Sequence, residues 1–430
     1  MNSTARPIQT ETPADAGTMR RAGFKTFLRQ AGNALALAGL GLGLGLATGC
    51  KSTGGSSSGA ASSSPPPSRS MPTADAAALD SRLIINPTIA ADLGLRCVWQ
   101  QDIPLGRRAR IKGVDLVSGD LVTVDSENRV TLLRLQDGYQ VWHSAPMPGN
   151  ERVLAFERID MNGRSRVIAA TDTDVFVLDG NTGHMITRQN MPNSPITGVS
   201  RLGPDLVYGG TDGRIVFHNA RVGYELRSNR IAGQISATPV VFEDDVVAVS
   251  NLGEVVMLDG RSATKLWGRK LTGGIDARPV VTADGVFVAT LGQSLWGLDR
   301  TTGDVKWKYF TESPLGTGPT ALGDRIFQYV PSEGMICFEA DPADSPRGKV
   351  FWRNPDINGE ITTVIGNQLV LWDATTRRLR MVDADRGDVI KDVNLPKVRD
   401  LYAFRSADND LILVATSNNG EIQRLVPRGR

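Results

Sequence analysis

One short pattern returns along this chain at nearly constant intervals, and a fixed period of that size leaves few folds open. Gly138 opens GYQVW, Gly183 GHMIT, Gly223 GYELR, Gly303 GDVKW, Gly348 GKVFW and Gly387 GDVIK, and Ala263 stands in the glycine's place in ATKLW. Successive spacings are 45, 40, 40, 40, 45 and 39 residues. A period of about 40–50 residues suits either paired helices or four-stranded sheets. The unit from Ala277 to Phe310 decides between them. ARPVV, VFVAT, LWGLD and VKWKYF each have strand length, and the breaks TADG, LGQS and RTTG hold the residues that hairpin turns need. The preceding unit matches it run for run with ATPVV, VVAVS, VVMLD and TKLWGRKL. No run is long enough, or correctly spaced, for an amphipathic helix.

Counting first strands gives eight units, beginning near Ile111, Leu154, Ile196, Ile235, Ile275, Leu315, Ile361 and Leu401. The eighth reads LYAFRS, LILVATS and EIQRLV and has no fourth strand. Its missing strand stands at the other end of the repeats: LRCVWQQDI, residues 95–103, precedes the first unit and carries Trp99 at the tryptophan position. An open sheet edge is an exposed hydrogen-bonding template. The chain is therefore expected to be all-β, an eight-bladed β-propeller of four-stranded antiparallel blades, closed by an N-terminal strand that completes the last blade.

The first eighty residues read differently. Arg20, Arg21, Lys25 and Arg29 precede the apolar run ALALAGLGLGLGLATGC, residues 34–50. That order is an export signal, too short and glycine-rich for a spanning helix of about 20 apolar residues. The polar first eighteen residues are an extension, or translation starts at Met19. Residues 51–78 are dominated by Ser, Gly and Pro, cannot bury a core, and are expected to be a flexible tether. The expected order is thus extension and signal over 1–50, tether over 51–78 and propeller over 79–430.

Little in the propeller reads as chemistry. The 48 basic and 46 acidic residues leave a net charge of +2, which gives no overall preference for nucleic acid. His143, His184 and His218 fall in different units without metal-ligand spacing. Cys97 and Cys337 are 240 residues apart and read as small buried hydrophobes. TDTDV, Thr171–Val175, lacks the further carboxylates of a calcium loop and reads as a solvated hairpin turn, and RRLR, Arg377–Arg380, reads as a solvated turn too. No catalytic, cofactor-binding or metal residue is assigned. The polar, glycine-rich stretches SNLGE, TDGR, LGQS, SNNGE, TGGIDA and TESPLGTG share one predicted face, between second and third strands and between blades. Loops of this kind vary without harming the sheets, which makes that face the expected partner surface.

Two resemblances add to this reading. LDRTTGDVKW, with its degenerate copies LDGRSATKLW and VLDGNTGHMI, resembles the PQQ-like repeat over most of residues 95–430. LATGC resembles a bacterial lipobox, which implies lipidation at Cys50; an ordinary signal peptide with an incidental cysteine is the alternative. Together they resemble the BamB family of propeller lipoproteins of the outer-membrane β-barrel assembly machinery. That resemblance implies a monomeric, non-enzymatic scaffold at the periplasmic face of the outer membrane, held by its lipid and bound to envelope proteins such as a barrel-assembly complex. Quinoprotein oxidoreductases, which use the same repeat, and ligand- or carbohydrate-binding sensors are the competing classes. The residues themselves favour structure. Asp299 can accept from turn amides, Gly303 can take positive φ, and Trp99, Trp142, Trp267, Trp307 and Trp352 all fall at one repeat position, where a catalytic tryptophan would be singular.

Overall fold

The structure, a computed structural model, describes residues 82–148, 151–191, 193–406 and 408–429. It contains eight four-stranded antiparallel sheets, each in the order of a simple meander. The strands of a blade are called a to d from the channel outward. Blades 1 to 7 span 111–143, 153–190, 200–230, 240–270, 280–310, 320–354 and 361–394. Blade 8 takes its strands a to c from 400–427 and its strand d from Leu95–Asp102. That strand pairs antiparallel with Glu421–Pro427, from Leu95 opposite Pro427 to Asp102 opposite Glu421.

Strands b and c are buried on both faces, and this is why they read as continuous apolar runs. In blade 4, Val247 and Val249 face blade 5, whereas Val246 and Ala248 face blade 3. Each of the eight junctions has its own core among the described residues. At the last junction, Trp99, Ile412, Val414 and Ile422 of blade 8 pack with Ile111, Val114, Leu121 and Leu133 of blade 1.

Strand a begins later than the sequence suggests in blades 3 to 6, at Ser200, Val240, Val280 and Thr320. The prolines Pro239, Pro279 and Pro319 stand immediately before three of these starts and have no N–H to give a ladder. The residues expected as strand starts instead tie each blade to the one before. Ile235 N–H donates to the Gly210 carbonyl at 3.2 Å, Ile275 to Ser250 at 3.3 Å and Leu315 to Thr290 at 3.1 Å.

Every strand d carries a β-bulge directly before the tryptophan position, from Cys97/Trp99 in blade 8 to Met381/Val382 against strand d of blade 7. In blades 2, 3, 4 and 7 the extra residue points outward, so Ile186, Leu226, Leu266 and Ile390 are exposed on the rim. A bulged edge twists away from flat pairing with another chain.

Before strand d of blade 8 the chain makes a turn of helix, Pro87–Asp92, capped by the Asn86 side chain, which accepts from Ile89 N–H at 2.8 Å. Ile84, Ile85, Ala90 and Leu93 are buried between blades 7 and 8. Gln423 of blade 8 clasps this segment: its side chain accepts from Ile85 N–H at 2.8 Å and donates to the Ile85 carbonyl at 2.9 Å.

Candidate functional site

The repeat residues form stitches between blades. In LDRTTGDVKW the Asp299 carboxylate accepts from the N–H groups of Thr301 and Thr302, both at 2.8 Å, and Gly303 N–H donates to the Asp299 carbonyl at 2.9 Å. These amides, Thr302 first, hold the Asp299 carboxyl below its ordinary range. The turn's exposed carbonyls then receive the tryptophan of the preceding blade. Trp267 Nε1 donates to the Arg300 carbonyl at 2.8 Å, and a Cβ on Gly303 would lie 2.4 Å from the Trp267 ring. With φ of +72°, Gly303 meets both a conformational and a steric demand.

The other four tryptophans repeat the contact. Trp99 donates to Leu135, Trp142 to Gly180, Trp307 to Ala340 and Trp352 to Ala384, at 2.8 to 3.0 Å. Units two, three and seven lack the tryptophan, and there the structure shows substitutes that pattern matching missed. In blade 3, Arg227 stands at the tryptophan position. Its Nε donates to the Gly260 carbonyl at 3.2 Å, its guanidinium lies over Phe217 at 4.7 Å, and Nη2 pairs with Asp205 at 2.7 Å. In blade 2 the stitch moves two residues along, to Gln189, which donates to the Ala220 carbonyl at 3.2 Å. In blade 7, Lys391 pairs with Asp92 of the short helix at 2.5 Å. Blade 8 has no c–d hairpin to receive a stitch, because its last two strands come from opposite ends of the repeats. The segment 84–93 fills that junction.

Arg227→Ala is expected to cost about 2–4 kcal/mol in urea unfolding, because it removes a stitch and leaves nearly buried Asp205 without its cation. Arg227→Lys should recover less than half, since a single ammonium cannot reach the carbonyl, ring and carboxylate together. Equal stability of all three forms would remove Arg227 from the stitch.

The ionisable residues stay dispersed. His143 Nδ1 meets Thr131 Oγ1 at 2.8 Å, His218 Nε2 meets Gln189 Oε1 at 3.3 Å, and His184 lies in an exposed turn. Cys337 is buried in the core between blades 6 and 7, where burial pushes its thiol up to about 12. Cys97 lies in strand d of blade 8. Asp174 of TDTDV is not a solvated turn residue. It is nearly buried and paired with Arg188 at 2.5 Å, a cation it shares with Glu151 at 2.8 Å. In RRLR, Arg378 and Arg380 both pair with Asp392, at 2.8 and 3.4 Å. Cys50 and the tether lie outside the described residues.

His218 sets a pH dependence. Burial lowers its pKa, so below about 6.5 the unfolded chain takes a proton that the folded chain refuses. Stability tied to it is present above that pH and is lost as pH falls. The melting temperature is expected to drop as pH falls below about 6.5. His218→Gln should flatten the drop, and an unchanged slope in that variant would assign the effect elsewhere.

The b–c turns and the blade links do share one face, as the meander requires. In blades 4 and 5 they interlock at backbone distance: Leu271 N–H donates to the Gly253 carbonyl and Leu291 N–H to the Gly274 carbonyl, both at 2.8 Å. A Cβ on Gly253 would lie 2.3 Å from the Gly273 carbonyl oxygen, and one on Gly273 2.2 Å from the Gly292 nitrogen. From this close-packed base three large apolar side chains stand out: Leu252 (53% exposed), Leu291 (39%) and Phe310 (64%).

Comparison with known proteins fixes the family. Residues 171–425, more than half the chain, match the family model described as outer membrane protein assembly factor BamB. The chain belongs to the BamB family. No curated protein sequence matches it. Among solved structures, BamB from Moraxella catarrhalis superposes with a TM-score of 0.58 at 18% identity, covering 78% of this chain and 98% of that one. The computationally designed Ika8 protein gives 0.57 at 15%, over 75% and 97%, and the C-terminal WD40 domain of Sif2 0.55 at 10%, over 78% and 99%. At such identities these three report the propeller fold alone. The family match covers the outer half of blade 2, blades 3 to 7 and most of blade 8, so it includes the stitches at Gln189, Arg227, Trp267, Trp307 and Trp352 and the residues Leu252, Leu291 and Phe310.

Proposed function

We propose that this protein is a non-catalytic, lipid-anchored scaffold of the bacterial envelope that takes part in outer-membrane β-barrel assembly. Its working surface is the turn-and-link face of blades 4 and 5. The observation that carries this reading is the apolar trio Leu252, Leu291 and Phe310 on a rigid, backbone-locked base. Interface centres are rich in such side chains, and a preorganised base lowers the ordering cost of binding. The BamB family match supports the process, and the resemblance of LATGC to a lipobox supports the anchor at Cys50.

Replacing Leu252 and Leu291 together by Asp is expected to reduce co-purification of barrel-assembly components from crosslinked envelopes at least about tenfold, as loss of a central contact does. Both side chains are largely exposed, so the melting temperature should hardly change. Undiminished recovery with the double variant would move the docking site off this face. Absence of barrel-assembly components in the parent pull-down would overturn the assembly role itself.

A further inference from the structure

We propose that a second sector of the same face, formed by blades 7, 8 and 1, lies against an anionic phospholipid surface. Five of the eight links between blades fall in two oppositely charged blocks. Links 271–279, 311–319 and 355–360 carry Asp276, Glu312, Asp356 and Glu360 against one cation, Arg278. Links 395–399 and 103–110 carry Lys397, Arg399, Arg107, Arg108 and Arg110 and no acid. With a net charge of only +2, the chain is not basic overall; its charge is sorted.

Five cations of this sector are held by no carboxylate. Arg82, Arg107, Arg108, Arg110 and Lys112 are exposed and make no ion pair among the described residues. Four arginines of blades 2 and 3 are held instead: Arg158 by Asp120, Arg166 by Asp179, Arg201 by Glu157 and Arg227 by Asp205, each at 2.7 Å. Within the basic block Arg399 pairs with Asp400 at 3.1 Å and Lys397 donates to the Leu83 carbonyl at 3.2 Å. Between blades 7 and 8 the sector opens into a cleft of about 590 Å³ lined by Arg82, Arg377 and Lys397, with Asn418 and Asn419 beside them and Asp102 and Glu421 as its acids.

The same sector receives the chain from its N-terminal side. Gln100, near the face end of strand d, donates to the Arg82 carbonyl at 3.2 Å and accepts from Ile84 N–H at 2.8 Å. Arg82, the first described residue, thus lies in this sector. An anionic leaflet attracts each such residue by roughly fivefold in affinity, within a Debye length of about 10 Å. Resting on this sector tilts the ring and leaves blades 4 and 5 open to a protein partner.

The proposal deepens the anchored-scaffold reading, and the test separates the two. The full chain with Cys50→Ala has no site for the acyl group. It is floated with vesicles of phosphatidylethanolamine and phosphatidylglycerol, and with phosphatidylcholine vesicles, which measure whatever the apolar run 34–50 contributes. Binding to the anionic vesicles is expected to be at least about tenfold tighter at low salt. It should fall to the phosphatidylcholine level near 0.3 M salt and with Arg107→Glu, Arg108→Glu and Arg110→Glu combined, at an unchanged melting temperature. Inorganic phosphate at matched ionic strength should not release the protein. Equal binding to both vesicle types, parental binding by the triple variant, or release by phosphate would each overturn the proposal. Palmitate incorporation at Cys50 is scored separately and can fail or succeed independently.

Discussion

Deleting residues 82–102 is expected to abolish cooperative folding of the whole ring rather than to trim one end. The deletion strips blade 8 of its outer strand and leaves Glu421–Pro427 as an open edge. It also empties the junction between blades 7 and 8, which no tryptophan secures. Ile84, Ile85, Leu93, Leu95 and Trp99 are all buried, at 8% exposure or less. Burying five such side chains stabilises by about 10 kcal/mol, and the total stability of a folded domain is only about 5–15 kcal/mol. The clasp of Gln423 on Ile85 and the Lys391–Asp92 pair are lost as well. Calorimetry of the deletion should show no main transition, or one displaced downward by more than about 15 °C. A deletion variant with the parent's melting temperature would mean that the ring closes without this segment.

The second large effect falls on the stitch itself. Trp307 is fully buried between Phe287 and Phe338, with ring centroids 5.9 and 5.8 Å away, and its indole N–H donates to Ala340 at 3.0 Å. Trp307→Ala should cost about 3–5 kcal/mol, the range for emptying a large aromatic site. Trp307→Phe keeps much of the packing but leaves the Ala340 carbonyl without its indole donor, for about 1–3 kcal/mol. Gly303→Val should be damaging for a different reason, since it places a β-branched residue at φ +72° against the Trp267 ring. If urea unfolding shows Trp307→Ala to be nearly neutral, the recurrent tryptophan is not what holds neighbouring blades together.

The sequence exposed the architecture because the repeat is written in residues with narrow physical roles. A turn glycine, an aspartate four residues before it and a tryptophan four residues after it make one period visible even at degenerate copies such as ATKLW. Buried strands b and c announce themselves as apolar runs. What stayed hidden were solutions that reach the same contact with other atoms. The guanidinium of Arg227 serves one carbonyl, one ring and one carboxylate, and nothing in GYELR marks it as a tryptophan's substitute. Gln189 makes its stitch two residues out of register. The six-residue helix Pro87–Asp92 is too short for any periodicity, and its only sequence signal is Asn86 capping ahead of Pro87.

The candidate surface was legible only as a class of loop. Six polar, glycine-rich stretches identify the face, but not the sector, because Leu252, Leu291 and Phe310 look ordinary until their exposure is known. The sorting of charge among the links is likewise readable in order along the chain. It becomes a surface only when residues 82, 107–110, 377 and 397 are brought to one side of the ring by closure of blade 8.

The most direct test of the account places a photocrosslinking amino acid at Leu252, on the turn-and-link face, or at Val222, which is equally exposed in a c–d turn on the opposite face. Irradiation of cells is predicted to join a barrel-assembly component to the protein from position 252 and not from 222. Crosslinks from 222 alone, or none from 252 to any such component, would contradict it.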